Sequence, residues 1–426
     1  MTTLGVPNTS HPSLFSTRPG TQVSVETIQL LGMESQLGGF WPGLRWLRCN
    51  IGWEITPSIS LFLTPTITGL DLTLPRDSNR LLQPTLSLLT HTCRQLQSLT
   101  MNINTVDPLS GGEMGRLIST SQHTLRHITT KSFTPPGIFS AIFNLPRLQG
   151  LSLHKPHFPN QIPSKILPLL EVIDFSGDHG SNLTQFLGSL SVQRLASVSI
   201  SWGETVQLST LLGPLRGAIT TMNMLYLSPV MALDHSGITL LCSFTNLTSL
   251  TIRCTCERRE PSLSCNSRLT DEAILELGEA LPHINTLSLA PGCDTPCHVT
   301  FASLVRLSRA CSSLGYLSIR VDFTSIVGGS DQLNHNDPNL GVNGARPQRA
   351  RSRLVSLTVG NSPLPDIPRC EWVVALALAR IFPSIKFVYS WRTGEMQGRW
   401  NDVRKDILVC QKIFRITRAG GKRLDT

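Results

Sequence analysis

The sequence is poor in charged residues, which fill 15% of its 426 positions, and in aromatic residues, which fill 6%. It also lacks an apolar run of the roughly 18 residues that a membrane-spanning helix needs. The longest candidate, Trp372 to Phe382, is shorter and contains Arg380. Residues 1–20 show no basic segment followed by an apolar core, the pattern of a secretory signal. We therefore expect no membrane partner and a cytoplasmic location, a nuclear location, or both.

No catalytic motif is found either. The sequence has no G-x-S-x-G, no H-E-x-x-H and no G-x4-G-K-[ST], and its histidines are scattered without a repeated carboxylate or nucleophile partner. We expect a protein that is not an enzyme and that needs no cofactor.

Eleven cysteines without a secretory signal favour a reducing compartment and free thiols. One group of them has the spacing C-x-C, then C, then C-x3-C-H, which is not a standard zinc pattern. We expect no metal at its members, which are Cys254, Cys256, Cys265, Cys293, Cys297 and His298.

The chain is basic, with a formal net charge of +9 and a pI near 9.2. This charge permits attraction to acidic partners but does not specify nucleic acid. We expect no nucleic-acid partner. A nucleic-acid-associated protein stays open as a third hypothesis, and it predicts binding that collapses as salt is added.

Short apolar phrases recur along most of the chain. They follow the template apolar-x-x-apolar-x-apolar, as in Leu148, Leu151 and Leu153, and two weaker copies have Thr130 and Ser390 in the third apolar place. The mean spacing of about 28 residues is that of leucine-rich repeats. Thirteen copies begin at Leu44, Ile67, Leu96, Leu125, Leu148, Leu170, Leu195, Met222, Leu247, Ile284, Leu314, Leu354 and Ile385.

The end of each phrase alternates, which predicts a short strand with its apolar residues on one side. Between phrases the chain often has a helical pattern, clearest from Arg268 to Leu281, where Thr270 is a good N-cap. One strand and one helix cannot bury their own apolar faces, so stacked copies share a core. The sequence thus predicts an α/β leucine-rich-repeat solenoid. Its repeats are irregular, its parallel strands line a concave face, and its helices form a convex face.

The predicted domain organisation has three parts. Residues 1–21 form a disordered N-terminus, residues 22–418 form the solenoid, and residues 419–426 form a basic tail. Capping helices are expected from about Gln22 to Gly38 and in the stripe of Trp400, Val403, Ile407, Cys410 and Phe414. A polar loop at about 328–353 is expected to be disordered.

Strand residues between and after the apolar places should point into the concave face. Aromatic and arginine side chains carry much of the energy of protein interfaces. The candidate partner-binding residues are the bulky or charged members of these columns: Lys131, His154, Asp174, Tyr226, Arg253, Arg320, Tyr389 and Trp391.

Several phrases are similar to the leucine-rich-repeat portion of fungal F-box proteins, especially those of basidiomycetes. They include "FWPGLRWLRCN", "SLFLTPTITGLDL", "LPRLQGLSLHK", "SFTNLTSLTIRC" and "LPHINTLSLAP", and the match covers roughly residues 40–415. The resemblance implies substrate recognition within an SCF-type ubiquitin ligase. The F-box of that family binds the adaptor subunit of the ligase, and the solenoid holds the target.

The F-box itself is not recognisable, because no Leu-Pro-x-Glu opening stands before Phe40. The segment from Leu364 onward is only superficially similar and falls inside a repeat. We therefore expect an adaptor partner only if an F-box lies upstream. The function expected is a protein-binding solenoid, in one hypothesis the substrate-recognition part of a ligase receptor. The alternative is a ligase-independent scaffold or inhibitor, and under both hypotheses the partner is a protein target.

Overall fold

The structure is a computed structural model, and its chain divides into two compact units. Unit 1 is Met1–Gly203 and unit 2 is Glu204–Thr426. We describe each unit by itself. The described residues are 3–5, 13–16, 22–24, 43–50, 59–74, 79–103, 108–131, 138–156, 158, 165–177, 183–191, 193–230, 233, 235–254, 269–290, 298–324, 326, 353–390 and 395–421.

Unit 1 is built on parallel strands, each hydrogen-bonded to the next repeat in the order of the chain. These strands are β4 (Trp46–Asn50), β5 (Gly69–Leu74), β6 (Ser98–Ile103), β7 (His127–Thr130), β8 (Gly150–His154), β10 (Val172–Gly177) and β12 (Ser197–Val206). A separate two-stranded sheet joins β9 (Lys165–Ile166) to β11 (Leu190–Ser191).

The helices of unit 1 are α1 (Asn79–Thr92), α2 (Pro108–Thr120), α3 (Phe139–Ile142) and α4 (Leu183–Ser189). Helix α1 packs against α2, and α2 packs against α3. A short 3₁₀ turn, Ile59–Phe62, lies between β4 and β5.

Unit 2 repeats the same design. Its parallel strands are β13 (Met224–Val230), β14 (Ser249–Cys254), β15 (Thr286–Leu289), β16 (Tyr316–Ile319), β17 (Ser356–Gly360) and β18 (Phe387–Ser390). Its helices are α5 (Leu208–Leu212), α6 (His235–Cys242), α7 (Asp271–Ala280), α8 (Phe301–Ala310), α9 (Cys370–Ile381) and α10 (Glu395–Gly421), with a 3₁₀ turn at Pro214–Ala218.

All thirteen predicted phrases coincide with these thirteen parallel strands. Equivalent apolar residues pair directly, for example Leu47 with Leu70 in unit 1 and Leu287 with Leu317 in unit 2. The apolar places are almost fully buried, and each buried Leu or Ile contributes about 1.5–3 kcal/mol relative to an exposed one. The predicted fold class, an α/β leucine-rich-repeat solenoid with parallel strands, is confirmed in both units.

A repeated backbone contact sets the register. The carbonyl of Arg45, which lies just before β4, accepts hydrogen bonds from the amides of Thr68 and Gly69, which lead into β5. The carbonyl of Thr68 in turn accepts hydrogen bonds from the amides of Gln97 and Ser98, which lead into β6. The residue with the accepting carbonyl directly follows the first apolar residue of its phrase. The hydrogen bonds between strands therefore recur with the same spacing as the apolar phrases.

The helix predicted from Arg268 to Leu281 is present as α7. The Thr270 side chain accepts a hydrogen bond from the Ala273 amide at 3.3 Å, as an N-cap does. Asp271 ties this repeat to the next, because its two carboxylate oxygens accept from the amide and the hydroxyl of Thr300, both at 2.7 Å. Neighbouring repeats are therefore joined by polar contacts as well as by the shared core.

Helix α10 is the predicted C-terminal capping helix. Trp400, Val403, Ile407 and Cys410 are buried, and Phe414 is half-buried, so the predicted stripe faces the unit. The helix packs against α9 and β18. It extends to Gly421 and so includes the first residues of the predicted basic tail.

The N-terminal region differs in detail from the prediction. Backbone strands are present at β1 (Thr3–Gly5), β2 (Ser13–Ser16) and β3 (Gln22–Ser24), where β1 pairs with β4 and β2 pairs with β3. The predicted capping helix therefore does not begin at Gln22, since this residue pairs across a strand. The rest of that helix and the predicted loop at 328–352 lie outside the described residues. The predicted division into disordered start, solenoid and basic tail stays a prediction.

Candidate functional site on the strand faces

The central place of each phrase lies between two buried apolar residues, and its side chain points away from the core. We call the surface made by these places the strand face of each unit. The central residues are half-exposed or exposed, with Asp71 as the exception. They pair in the predicted order, which is Arg48, Asp71, Thr100, Thr129, Ser152, Asp174 and Ser199 in unit 1 and Tyr226, Thr251, Ser288, Ser318, Thr358 and Tyr389 in unit 2.

A group of three charged side chains occupies one end of the strand face of unit 1. The Nε atom of Arg48 donates to Oδ2 of Asp71 at 2.8 Å, and Nζ of Lys131 lies 3.5 Å from the same oxygen. The Asp71 side chain is only 6% exposed, whereas those of Arg48 and Lys131 are 60% and 48% exposed. Two cations therefore cover one buried carboxylate. The Oδ1 atom of Asp71 has no hydrogen-bond partner among the described residues.

Glycines in the same face make room for large neighbours. A Cβ atom added at Gly69 would meet the Trp46 ring at 1.9 Å, and one added at Gly150 would meet the His127 ring at 2.7 Å. In each case the ring of one strand lies over the glycine of the next strand. These glycines are needed for close approach.

The middle of the unit 1 strand face is held by hydrogen bonds between its own side chains. Ser152 donates to Asp174 at 3.0 Å, and the Nδ1 atom of His154 lies 2.7 Å from the hydroxyl of Ser176. The predicted residues His154 and Asp174 are thus brought to neighbouring strands, β8 and β10. Each of them is bonded to a serine within the face.

In unit 2 the predicted residues Tyr226 and Arg253 stack on each other. The guanidinium carbon of Arg253 lies 5.9 Å from the centre of the Tyr226 ring, within the range of a cation–π contact. They stand on neighbouring strands, β13 and β14. This pair offers a partner both an aromatic surface and a positive charge.

A second aromatic group lies at the C-terminal end of unit 2. The rings of Phe387 and Tyr389, both on β18, stack with centres 6.1 Å apart and an interplanar angle of 8°. Arg404 of α10 lies over both rings, at 5.8 Å and 6.0 Å. Phe387 and Tyr389 are nevertheless 38% and 46% exposed, and Tyr316 two strands away is 55% exposed.

Helix α10, which carries Arg404, is fastened to α9 by a second arginine. Arg399 donates to the Glu371 carboxylate at 2.6 Å and to the Pro365 carbonyl at 2.6 Å. Burial acts to raise the pKa of Glu371, but the hydrogen bonds from Arg399 and from the backbone outweigh it and hold this pKa below its ordinary value. The ion pair thus positions the helix that reaches over the aromatic group.

Of the two remaining predicted residues, the structure describes only one. Arg320 follows β16 and is half-buried, and Trp391 lies outside the described residues. Sequence reasoning placed Arg48 and Asp71 in the strand-face column but not among the candidate binding residues, and it did not single out Tyr316, Phe387 or Arg404. Phe387 carried a usable signal, since it stands two places before Tyr389 in a strand and therefore shares its face.

The described cysteines form no disulfide bonds, and most of them are buried. Burial raises the pKa of Cys93 to about 12 and that of Cys311 to about 11. Burial, together with the Asp71 carboxylate, also raises the pKa of Cys49. These thiols are therefore protonated near neutral pH, and a thiol rather than a thiolate is a poor nucleophile.

Two features are absent from the described ranges. There, His, Cys, Asp and Glu side chains form no group of three or more that could hold a metal ion. The candidate cysteines Cys256, Cys265, Cys293 and Cys297 fall outside those ranges. In the part of the chain that the structure describes, no helix combines the length and apolar character needed to cross a membrane.

No family model and no curated protein matches the sequence. Solved structures do match, and one is entitled "Crystal structure of PEPR1-AtPEP1", with 14% sequence identity and a TM-score of 0.35. The match covers 81% of this chain and 43% of that one, so this chain spans less than half the length of that neighbour. The assignment as a leucine-rich-repeat solenoid therefore rests on the thirteen strands and their register.

Proposed function

We propose that this chain is a protein-binding scaffold without catalytic activity, and that the strand face of unit 2 makes the main contact with its partner. The observation that carries the proposal is the exposed aromatic group of Phe387, Tyr389 and Tyr316, with Arg404 over two of its rings. Stacked repeats offer an extended surface of this kind to a partner.

Exposed aromatic rings held in place are typical anchors of protein interfaces. Phe387 and Tyr389 are restrained by each other and by Arg404, so little side-chain freedom remains to be lost on binding. Aromatic and arginine residues are enriched among the few that dominate binding energy. Tyr226 and Arg253 would extend the same contact.

The finer hypothesis makes this chain the substrate-recognition part of an SCF-type ubiquitin ligase receptor. It is supported by the resemblance of the repeat phrases to fungal F-box proteins, and it requires an F-box upstream. The alternative is a ligase-independent scaffold or inhibitor, which binds its target without the adaptor subunit. Both hypotheses place the target on the strand face.

The binding surface is tested by comparing the wild-type chain with Tyr389→Ala and Phe387→Ala in affinity purification from lysate. A partner that depends on both rings is then purified and titrated. An interface anchor contributes about 2 kcal/mol or more, so each variant should weaken Kd about 30-fold.

Trp372→Ala is the matched control, because Trp372 is an exposed aromatic residue of unit 2 on helix α9 rather than on a strand. It should leave Kd unchanged. A partner whose Kd is the same in all three variants would contradict the proposed surface.

The ligase hypothesis is tested in the same purification by asking whether the adaptor and cullin subunits are recovered. The chain should be compared with any longer form that its transcript encodes. Recovery with the longer form alone would support a receptor whose F-box lies upstream. Recovery with neither form would leave the ligase-independent scaffold.

A further inference from the structure

The charged group of unit 1 has more positive charge than its own contacts need. Arg48 and Lys131 both approach a single oxygen of Asp71, so two cations share one carboxylate. A pair would neutralise the buried charge, whereas the third member leaves a net charge of one positive unit and brings two like charges together. Like charges at short distance repel each other.

Stability alone explains this arrangement poorly. Ion pairs with solvent-exposed partners contribute little, because water screens them, and here both cations are about half-exposed. The buried Oδ1 atom of Asp71 adds a cost, since it has no partner among the described residues. A nonpolar residue at this strand position would avoid both costs.

The free donors point to a ligand. Arg48 uses only its Nε atom on Asp71, and its two terminal nitrogens make no hydrogen bond to the described part of the chain. The planar guanidinium presents donors in a fork that fits two oxygens of a carboxylate or phosphate. Lys131 adds a single positive charge beside it, with no other described partner.

The geometry points to an anion-binding site on the strand face of unit 1, in which Arg48 and Lys131 bind a group with at least two anionic oxygens. Such a group is a phosphate or a carboxylate. Asp71 is the positioning residue, since its buried carboxylate holds both cations at one place. Neither cation needs to move far, because both already converge on the same oxygen.

The site is tested on the full chain by titration calorimetry at low ionic strength. Inorganic phosphate and acetate are the probes, and chloride at equal ionic strength is the reference. We expect saturable phosphate binding, with acetate several-fold weaker because it carries one charge and two oxygens. If chloride gives the same heat and the same saturation as phosphate, the effect is general screening and the site is refuted.

Arg48→Gln and Lys131→Gln should each weaken phosphate binding about tenfold or more, because each removes one charge-assisted contact. Arg116→Gln is the matched control. It removes one positive charge from the same unit at an exposed residue of α2, which is paired with Glu113 at 3.0 Å. The proposal fails if all three variants bind phosphate like the wild type, or if Arg116→Gln loses as much as the other two.

Circular dichroism should show that these variants fold, as expected for exposed side chains. The inference is independent of the proposed protein contact, which concerns unit 2. If the anion-binding site of unit 1 is refuted, the proposed protein contact of unit 2 is unaffected, and the reverse is also true.

Discussion

The two units share a scaffold but place their apolar residues differently. Twelve large hydrophobic side chains are exposed in the described part of the chain, and only Val172 belongs to unit 1. Unit 1 instead gathers aromatic rings inside, where Phe186 contacts four other phenylalanine rings at 4.7–6.0 Å. Its strand face is bonded within itself, whereas that of unit 2 presents aromatic rings to solvent. A shared repeat design therefore permits aromatic rings either to pack in the core, as around Phe186, or to face solvent on a strand, as at Phe387.

The largest effect is expected in the core of unit 1. Phe186→Ala should lower the free energy of unfolding by about 3–5 kcal/mol, because it leaves a cavity among packed rings. Denaturant titration measures the loss, and hydrogen exchange read by mass spectrometry assigns it to unit 1. Tyr389→Ala in unit 2 should change stability by less than about 0.5 kcal/mol. Equal losses in the two variants would mean that the rings of both units are structural.

A smaller effect is expected where α10 joins α9 in unit 2. Glu371→Gln should cost about 1.5–3 kcal/mol, the range for a hydrogen bond to a charged group. Because folding lowers the pKa of Glu371, its contribution is present above the ordinary carboxyl value of 4.5 and is lost as the pH falls below it.

The pH dependence therefore has a definite sign. Between about pH 7 and about pH 3.5 the wild type should lose more stability than Glu371→Gln, as measured by thermal unfolding at each pH. Parallel losses in the two proteins would show that Glu371 does not titrate with folding.

The smallest effect is expected within the strand face of unit 1. Ser152→Ala removes the hydrogen bond to Asp174 and should cost about 0.5–1.5 kcal/mol of stability. It should leave partner affinity unchanged, opposite to the behaviour of Tyr389→Ala. Affinity lost in Ser152→Ala would instead place part of the partner contact on unit 1.

The repeat phase was predictable because it depends on local alternation. Residues such as Leu151 and Leu153 had to be buried together on one side, which placed Ser152 on the other side and on the strand face. The N-cap at Thr270 was predictable for the same reason, since a cap involves only its own first turn.

Contacts between repeats were harder to predict. The ion pair between Asp71 and Lys131, the residue that follows β7, crosses an intervening strand. Arg404 reaches Phe387 only because α10 folds back over β18. Strand register gives the neighbours of a backbone position, but it does not give the direction in which a long side chain extends. The candidate sites of both units depend on such side chains.

Helix α10 also affects whether further strands can add to the sheet of unit 2. Parallel strands add to an open edge, and an uncovered last strand is a template for pairing with another chain. The helix packs on β18, and the Gln411 amide donates to the Ile385 carbonyl at 2.8 Å, just before that strand. In the terms of polymer chemistry, α10 is a chain terminator. By packing on β18, the last described strand of unit 2, it opposes the pairing of that strand with another chain.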